Sequence, residues 1–349
     1  MKKEKTFASY ITLYVKGLVM GAVDLVPGVS GGTIAFITGI YEELLNSLRS
    51  FTPKNVKLFF SGKFKAFWKA VNGSFLLVLA LGIGTSVISL VRVVLYVLEH
   101  HPVATWSFFF GLILISTFSI LSTVRKFTMP LLVCFCTGAV TAYLITVMTA
   151  VQTPNDLWFI FLCGTLAVCA LMLPGTSGSF ILLLMGKYQY ILDALKDFKI
   201  DILAVFAAGC VTGLLSFSHF LSWLLRRFHD VTIALLSGFL FGSLNKVWPW
   251  KVQINTVTGD VWPWNLEKFN DHSLSLTEKN LLPGAFEKAT GVDAHFYTGA
   301  AFAALAVALY LGIEMIAKKK KKTSGREKKT NQENTNHQEK NKTLKKNKT

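Results

Sequence analysis

Apolar residues in this chain form long segments, and polar residues are confined to short stretches between them and to both ends. Several segments approach about 20 residues, the length that an α-helix needs to cross the hydrocarbon core of a bilayer. Two segments are interrupted near their middle by proline, glycine and serine, at residues 27–33 and at residues 174–180. The pattern predicts an all-α polytopic membrane protein in which two helical segments are broken.

The apolar segments fall into two sets with the same order, each a broken segment followed by three spans. We interpret each broken segment as a re-entrant hairpin. The first set covers residues 1–150, with the hairpin at 7–48 and spans at 72–98, 103–124 and 129–151. The second set covers residues 151–317, with the hairpin at 157–195 and spans at 202–225, 231–247 and 296–317. A polar outer loop is predicted at 248–295, and its tryptophans suit a membrane interface: Trp248, Trp250, Trp262 and Trp264.

The two interruptions are copies of one another. The first motif is Pro27-Gly28-Val29-Ser30-Gly31-Gly32-Thr33, and the second motif is Pro174-Gly175-Thr176-Ser177-Gly178-Ser179-Phe180. A shift of 147 residues superposes them without a gap. Because each half has an odd number of spans, the second half must be inserted upside down relative to the first. The chain therefore predicts an inverted repeat with broken helices, which is typical of secondary transporters.

Composition and charge placement support the membrane class and give an orientation. Charged residues make up 16% of the chain, well below the roughly 25% of a soluble domain. The net charge of +16 comes mainly from the termini and one loop, so we predict no nucleic-acid partner. Lysine and arginine mark cytoplasmic segments, which predicts that residues 49–69 and both termini lie on the cytoplasmic side of the plasma membrane. The lysine-rich tail at 318–349 is expected to be disordered and cytoplasmic.

The paired breaks are candidate anion-binding sites, because helix N-termini present free N–H groups and a positive dipole end. Glycine lets a headgroup approach the backbone, and hydroxyl groups add donors. The alternatives are helix capping for the hydroxyls and a kink at a tight helix crossing for the breaks. The candidates for substrate binding in the two motifs are Pro27, Gly28, Ser30, Gly31, Gly32, Thr33, Pro174, Gly175, Thr176, Ser177, Gly178 and Ser179.

Ionisable residues inside apolar segments are further candidates, because a charge in hydrocarbon is costly. Asp24 and Glu42 are the candidates for ion coupling, and the alternative for Asp24 is a hydrogen-bonded structural acid. Arg92 is a candidate phosphate partner, with snorkelling to the outer interface as its alternative. Enzyme, metal and cofactor motifs are absent from the sequence, so we predict no catalytic residue, metal or cofactor.

These motifs resemble the signatures of the bacterial and archaeal polyprenyl-phosphate transporters. The first signature matches residues 21–33 with Gly39-Ile40-Tyr41-Glu42, the second matches residues 172–180 with Gly186 and Tyr188, and a third block matches residues 242–250. The similarity covers about residues 7–317. The resemblance implies a transporter that returns undecaprenyl phosphate from the outer to the inner leaflet and so recycles the lipid carrier of cell-envelope synthesis. It points to Asp24, Ser30, Arg92 and Ser177, with Asp24 as carrier if transport is ion-coupled.

Two other functions stay open at this point. An anion channel or small-anion exchanger also uses glycine-serine-proline breaks at helix N-termini, and it would pass chloride or phosphate without a lipid substrate. A membrane enzyme acting on a lipid phosphate would release free phosphate, but no nucleophile–base pair in the sequence supports it. The sequence makes no prediction of the oligomeric state.

Overall fold

A computed structural model of the chain describes residues 7–24, 30–89, 91–124, 128–148, 153–264, 276–312 and 315. The expectations for Pro27, Gly28 and the tail at 318–349 lie outside these residues. In the first half the helices are α1 (Phe7–Asp24), α2 (Gly31–Ile37), α3 (Tyr41–Arg49), α4 (Pro53–Phe60), α5 (Phe64–Ala70), α6 (Gly73–Ser89), α7 (Val91–His100), α8 (Pro102–Leu121) and α9 (Met129–Val147). In the second half the elements are α10 (Leu157–Met172), α11 (Gly178–Leu184), α12 (Tyr188–Lys196), α13 (Ile200–Arg227), α14 (His229–Ser243), β1 (Lys251–Asn255), β2 (Val261–Pro263), β3 (Leu276–Asn280), α15 (Pro283–Thr290) and α16 (Phe296–Gly312).

Three of the described helices, α8, α9 and α13, are long and apolar enough to cross a membrane. A fourth span is obtained if α5 and α6, which meet at a bend of 72°, are counted together. The apolar helices α10 and α16 are shorter, and the predicted span at 72–98 is divided between α6 and α7. The outward faces carry exposed large apolar side chains such as Val133, Trp158 and Phe220, which a lipid environment covers. The largely helical membrane architecture predicted from the sequence is therefore confirmed.

Both predicted hairpins contain the same pair of short helices after the break. The helices α2 and α11 have 7 residues each, and α3 and α12 have 9 residues each. The first residues of α2 and α11 are 147 positions apart, as are those of α3 and α12. The shift that superposes the two motifs in the sequence thus also superposes the helices that follow them.

The packing of the first helix of each hairpin also repeats. α1 packs along α6, and α10 packs along α13. In each pair, a glycine of either helix lies against a backbone carbonyl of the other. The contacts are Gly17 with Leu79 and Gly82 with Tyr14 in the first half, and Gly164 with Phe206 and Gly209 with Phe161 in the second. Small residues allow such close helix approach in membranes, so helix packing explains these glycines.

The halves are interleaved rather than separate domains. α9 packs along α14, and α8 lies against α16 where Gly111 meets the Ala303 backbone. The largest buried cluster joins residues of both halves, including Tyr41, Trp106 and Met172. The apolar core therefore forms across the repeat boundary near residue 150.

The predicted outer loop at 248–295 contains a three-stranded antiparallel sheet in the order β2-β1-β3. Gln253 on β1 lies opposite Trp262 on β2 and Glu278 on β3. The prediction of an interface belt is wrong for Trp250 and Trp264, which are buried. Their rings pack against protein: Trp264 stands edge-on to Trp106 of α8 at 5.2 Å between ring centroids. The sheet is thus an addition to the predicted all-α fold.

The directions of α8 and α14 define two opposite ends of the molecule. α8 begins beside the sheet, where Trp106 meets Trp264, and it ends at a cavity that Ser119 and Thr123 line. α14 runs the other way, from His229 at the cavity to the segment that leads into β1. A helix of 20 residues spans about 30 Å. We call the two ends the sheet end and the cavity end.

Candidate functional site

The two motifs meet in the centre of the fold. The Gly175 amide donates a hydrogen bond to Thr33 Oγ1 at 2.8 Å. Ser30 Oγ donates to the Leu171 carbonyl at 3.1 Å, which lies just before the second motif. We call the set of residues that links the motifs the motif junction: Ser30, Thr33, Tyr41, Leu171, Met172 and Gly175. The sequence repeat therefore corresponds to a direct contact between the two breaks.

Glycine is required at two positions of this contact. Gly175 has φ +85, a left-handed conformation that glycine adopts without strain. Its turn also lies close to Ser243 at the end of α14. A Cβ added to Gly32 would lie 2.7 Å from the Leu171 carbonyl oxygen. A larger residue at position 32 would push the two hairpins apart, and a larger residue at position 175 would push the second motif away from α14.

Three of the candidate hydroxyl groups are engaged in backbone contacts. Ser30 is the N-cap of α2, and its Oγ accepts from the Gly32 amide at 3.1 Å. Thr33 accepts from Gly175, and Thr176 donates to the Ala170 carbonyl at 2.5 Å. The capping and packing alternative therefore accounts for these groups in this structure.

Ser177 and Ser179 differ from the other candidate hydroxyls. Their Oγ atoms are 2.8 Å apart and bond to each other. Ser177 is buried, whereas Ser179 is exposed. Pro174 is buried in the turn that precedes them, and Gly178, the first residue of α11, lies against the Ala167 carbonyl. This hydroxyl pair is the part of the two motifs that is best placed to exchange its bond for one with a ligand.

Asp24 lies at the N-terminus of α2. Its Oδ1 accepts a hydrogen bond from the Gly31 amide, one of the backbone groups that the sequence suggested for an anion. A carboxylate at a helix N-terminus is favoured by the helix dipole. Asp24 thus occupies the helix N-terminus that the sequence suggested for an anion, and any external anion would have to displace it.

A cavity of about 890 Å³ opens at the cavity end and reaches the motif junction through Tyr41. The Tyr41 hydroxyl is buried and donates to the Met172 carbonyl at 2.6 Å. Glu42 on the cavity wall lies 3.3 Å from His229 Nε2. Arg226 Nη2 donates to Asn46 Oδ1 at 2.6 Å. The cavity therefore connects charged groups of both signs to the contact between the motifs.

The structure does not bring Arg92 to this site. Arg92 is exposed on α7, and among the described residues it has no hydrogen bond or ion pair with either motif. Glu42 lies in the cavity, separated from the motifs by the length of α2. Of the predicted residues, the junction therefore unites Ser30, Thr33 and Gly175. Asp24 lies beside it at the Gly31 amide, and Arg92 lies elsewhere.

Sequence reasoning missed several residues near the junction. Tyr41 was part of the repeated pattern, since the same shift pairs it with Tyr188, but its contact with Met172 depends on the fold. Lys246 was also missed, and its Nζ lies 4.4 Å from the centroid of the Phe180 ring in the second motif. The signal for Lys246 was its place just before the tryptophan block at 248–250, within an otherwise apolar stretch.

Comparison with known proteins supplies the family. The family model "Undecaprenyl phosphate translocase-like" (VCA0040-like) matches residues 20–261. A polyprenyl-phosphate transporter of Vibrio cholerae serotype O1 is 43% identical over 311 residues, which is 89% of this chain and 98% of the relative. A polyprenyl-phosphate transporter of Staphylococcus aureus is 31% identical over 259 residues, 67% of this chain and 85% of the relative. No solved structure matches the chain.

Proposed function

Because the chain belongs to the undecaprenyl phosphate translocase-like family, we propose that it transports a polyprenyl phosphate across the membrane. In this proposal undecaprenyl phosphate moves from the outer to the inner leaflet and is reused in cell-envelope synthesis. The observation that carries the proposal is the motif junction, where the breaks of both halves meet by direct hydrogen bonds. Broken helices that meet between two repeats are where transporters bind substrate.

The headgroup site comprises the two motifs, while the isoprenoid chain stays in lipid. The hydroxyls of Ser177 and Ser179 donate to the phosphate. They are free to do so because each can give up its present bond to the other hydroxyl. A phosphate oxygen also accepts from the Gly31 amide once Asp24 releases that amide, and each charge-assisted bond contributes about 1.5–3 kcal/mol. Several such bonds together offset much of the cost of removing a phosphate from water.

An inverted repeat allows the substrate site to open alternately to the two sides of the membrane. The repeated glycine–carbonyl contacts of α1 with α6 and of α10 with α13 support a structural repeat. The interleaving of α8 with α16 and of α9 with α14 fits a two-fold relation between the halves. With the second half inverted, each hairpin enters from its own side of the membrane. Rocking of one repeat against the other then exposes the junction to one leaflet at a time.

The cavity end is cytoplasmic in this scheme, and the sheet end is external. α4 and α5 carry exposed lysines beside exposed aromatic rings, including Lys57, Lys65, Phe60 and Phe64. Basic and aromatic side chains together bind at the surface of an anionic leaflet. In this proposal the cavity therefore opens on the side where the lipid phosphate is released.

Ion coupling follows from competition at the first motif. The Asp24 carboxylate accepts a hydrogen bond from the Gly31 amide. A phosphate displaces the Asp24 side chain from this amide more easily once the carboxylate is protonated. Proton uptake by Asp24 would then accompany phosphate binding. Glu42 and His229, 3.3 Å apart in the cavity, form a second pair that can pass a proton toward the cytoplasmic side.

Reconstitution of the full chain tests the proposal. Undecaprenyl phosphate is added to one face of vesicles, and its arrival on the other face is measured with a membrane-impermeant reagent. We expect transport by the wild type and a loss of roughly tenfold or more in Ser177→Ala/Ser179→Ala, since two donors are removed. The matched control is Ser216→Ala, whose hydroxyl bonds within α13.

Three results would count against parts of this proposal. No lipid movement in the wild type would reject the function. Passage of chloride or phosphate through lipid-substrate-free vesicles would indicate an anion channel. Equal transport by the serine variants and the control would remove the hydroxyl pair from the headgroup site.

A further inference from the structure

Two lysines are buried between the second motif and the sheet. Lys246 is 8% exposed and Lys251 is 2% exposed, and both lie on the segment that leads from α14 through β1. Burying an ammonium group is costly unless it is paired and hydrogen-bonded. Two such groups at one place therefore call for anions nearby.

Lys246 connects the second motif to the sheet. Its Nζ stands over the Phe180 ring on one side and forms an ion pair with Glu278 Oε2 at 2.7 Å on the other. Glu278 belongs to β3, and its other oxygen accepts from Trp264 Nε1 at 3.0 Å. A single carboxylate thus serves both an ammonium and an indole N–H.

Lys251 has few acceptors for its charge. Its Nζ lies 3.5 Å from the centroid of the Trp106 ring and donates to the Lys246 carbonyl at 2.6 Å. An ammonium group has three donors, and that carbonyl is its one hydrogen-bond acceptor among the described residues. Trp106 is 1% exposed, and its Nε1 has no partner within the same part of the chain. The cluster therefore holds two cations, one anion and spare donors.

A phosphate group has the charge and the acceptors that this cluster lacks. A phosphate monoester carries about −1.5 to −2 charges at pH 7 and three acceptor oxygens. Its charge balances both ammonium groups, whereas Glu278 balances one. The rings of Trp106 and Trp264 form an apolar wall that excludes water and strengthens the attraction between the charges.

We propose that Lys246 and Lys251 form a binding site for the phosphate group of the transported lipid at the sheet end, and that the Glu278 carboxylate occupies this site when the headgroup is absent. The identity of the lipid rests on the proposed function above. In this arrangement Glu278 acts as a competing internal anion. A headgroup that enters from the outer leaflet displaces it and lies next to Phe180, at the edge of the second motif.

Displacement of Glu278 also loosens the sheet. β3 is held to the end of α14 by Asn280, whose Nδ2 donates to the Asn245 carbonyl at 2.7 Å, and by the Glu278 ion pair. When the phosphate takes the place of the carboxylate, one of these two attachments is lost. Phosphate binding and movement of the sheet are thereby coupled.

The test is whether Glu278→Gln strengthens or weakens binding of undecaprenyl phosphate. Affinity of the purified full chain for undecaprenyl phosphate in nanodiscs is measured for the wild type, Glu278→Gln, Lys246→Met and Lys251→Met. We expect Glu278→Gln to tighten binding about tenfold, which corresponds to about 1.4 kcal/mol, because the competing anion is gone. Each lysine variant should weaken binding at least tenfold. A purely structural ion pair predicts weaker binding in all three.

Two controls keep the test decisive. Asn280→Ala releases β3 without removing the anion, so tightening in this variant equal to that of Glu278→Gln would overturn the proposal. Glu278→Asp keeps the charge but withdraws the carboxylate by one methylene. It should tighten binding modestly, and it replaces the glutamine variant if that variant fails to fold.

The outcomes separate this inference from the proposed function. Transport by the wild type together with unchanged binding in all four Glu278 and lysine variants would reject the lysine site and leave the function intact. Wild-type protein that neither binds nor moves undecaprenyl phosphate would reject the function. The same measurements with inorganic phosphate identify the source: tightening in Glu278→Gln for inorganic phosphate alone would assign the site to free phosphate and remove it from the lipid pathway.

Discussion

The hydrogen bond between Thr33 and Gly175 offers the sharpest test of the motif junction. Thr33 is fully buried, and its Oγ1 accepts from the Gly175 amide at 2.8 Å. Thr33→Val keeps the branched shape of the side chain but leaves the amide without an acceptor. An unsatisfied buried donor costs about 1–3 kcal/mol. Loss of this one contact should therefore lower the free energy of unfolding by about 2 kcal/mol.

Thermal unfolding of the purified chain measures this effect. With an unfolding entropy of about 2.1 cal/mol/K per residue over 349 residues, 1 kcal/mol lowers Tm by about 1.4 °C, so we expect a fall of roughly 3 °C for Thr33→Val. The matched control is Thr117→Val, because Thr117 is also fully buried but bonds to Ile113 within α8. That helix carbonyl keeps its backbone partner, so Tm should change by less than about 1 °C. Equal shifts in the two variants would refute the idea that the motifs are held together at this point.

Three further predictions concern the turn, the lysine site and ion coupling. Gly175→Ala should lower Tm and transport more than Gly259→Ala, because both have positive φ but the second lies in open space; equal losses would show that backbone strain alone is responsible. Burial is the main reason that the pKa of Lys251 falls to about 7. The Glu278 carboxylate raises this pKa, and the charge of Lys246 lowers it further. The headgroup phosphate is already doubly charged above about pH 6, so its charge no longer changes at higher pH. Lys251 loses its proton as pH rises above about 7, and affinity for undecaprenyl phosphate should therefore fall. Lys251→Arg, which stays protonated, should abolish this fall, and an unchanged pH profile would contradict the assignment. Asp24→Asn should make transport in vesicles insensitive to an imposed pH gradient, and retained sensitivity would exclude Asp24 as the proton carrier.

The sequence predicted the repeat and the helices after each break, because these features depend on local pattern. Proline and glycine end a helix wherever they occur in an apolar segment, and equal spacing in both halves predicted equal elements. The pairing of Tyr41 with Met172 could not be predicted, because it depends on how the two hairpins meet in space. The direct contact between the motifs, at Thr33 and Gly175, depends on the same long-range packing and was not predicted either.

The outer loop shows the limit of the same reasoning. Its polar composition and scattered tryptophans predicted a solvated segment at the membrane interface. Strands of three to five residues are too short to give a clear alternating pattern. The burial of Trp264 and Lys251 depends on the first turns of α8, far away in the chain. Long-range packing of this kind places a charged residue in the interior without a local signal.

The α4–α5 segment makes the two halves unequal. Gly17 and Gly164 are 147 positions apart, but their packing partners Gly82 and Gly209 are only 127 apart, since the first half carries this extra segment before α6. In the transport cycle proposed above, two identical inverted halves would give two end states of the same energy, related by a two-fold rotation, and the unloaded protein would spend half its time in each. A helical insert in one half removes that equality, so under this proposal the empty protein favours one of the two states before any gradient or cargo acts on it.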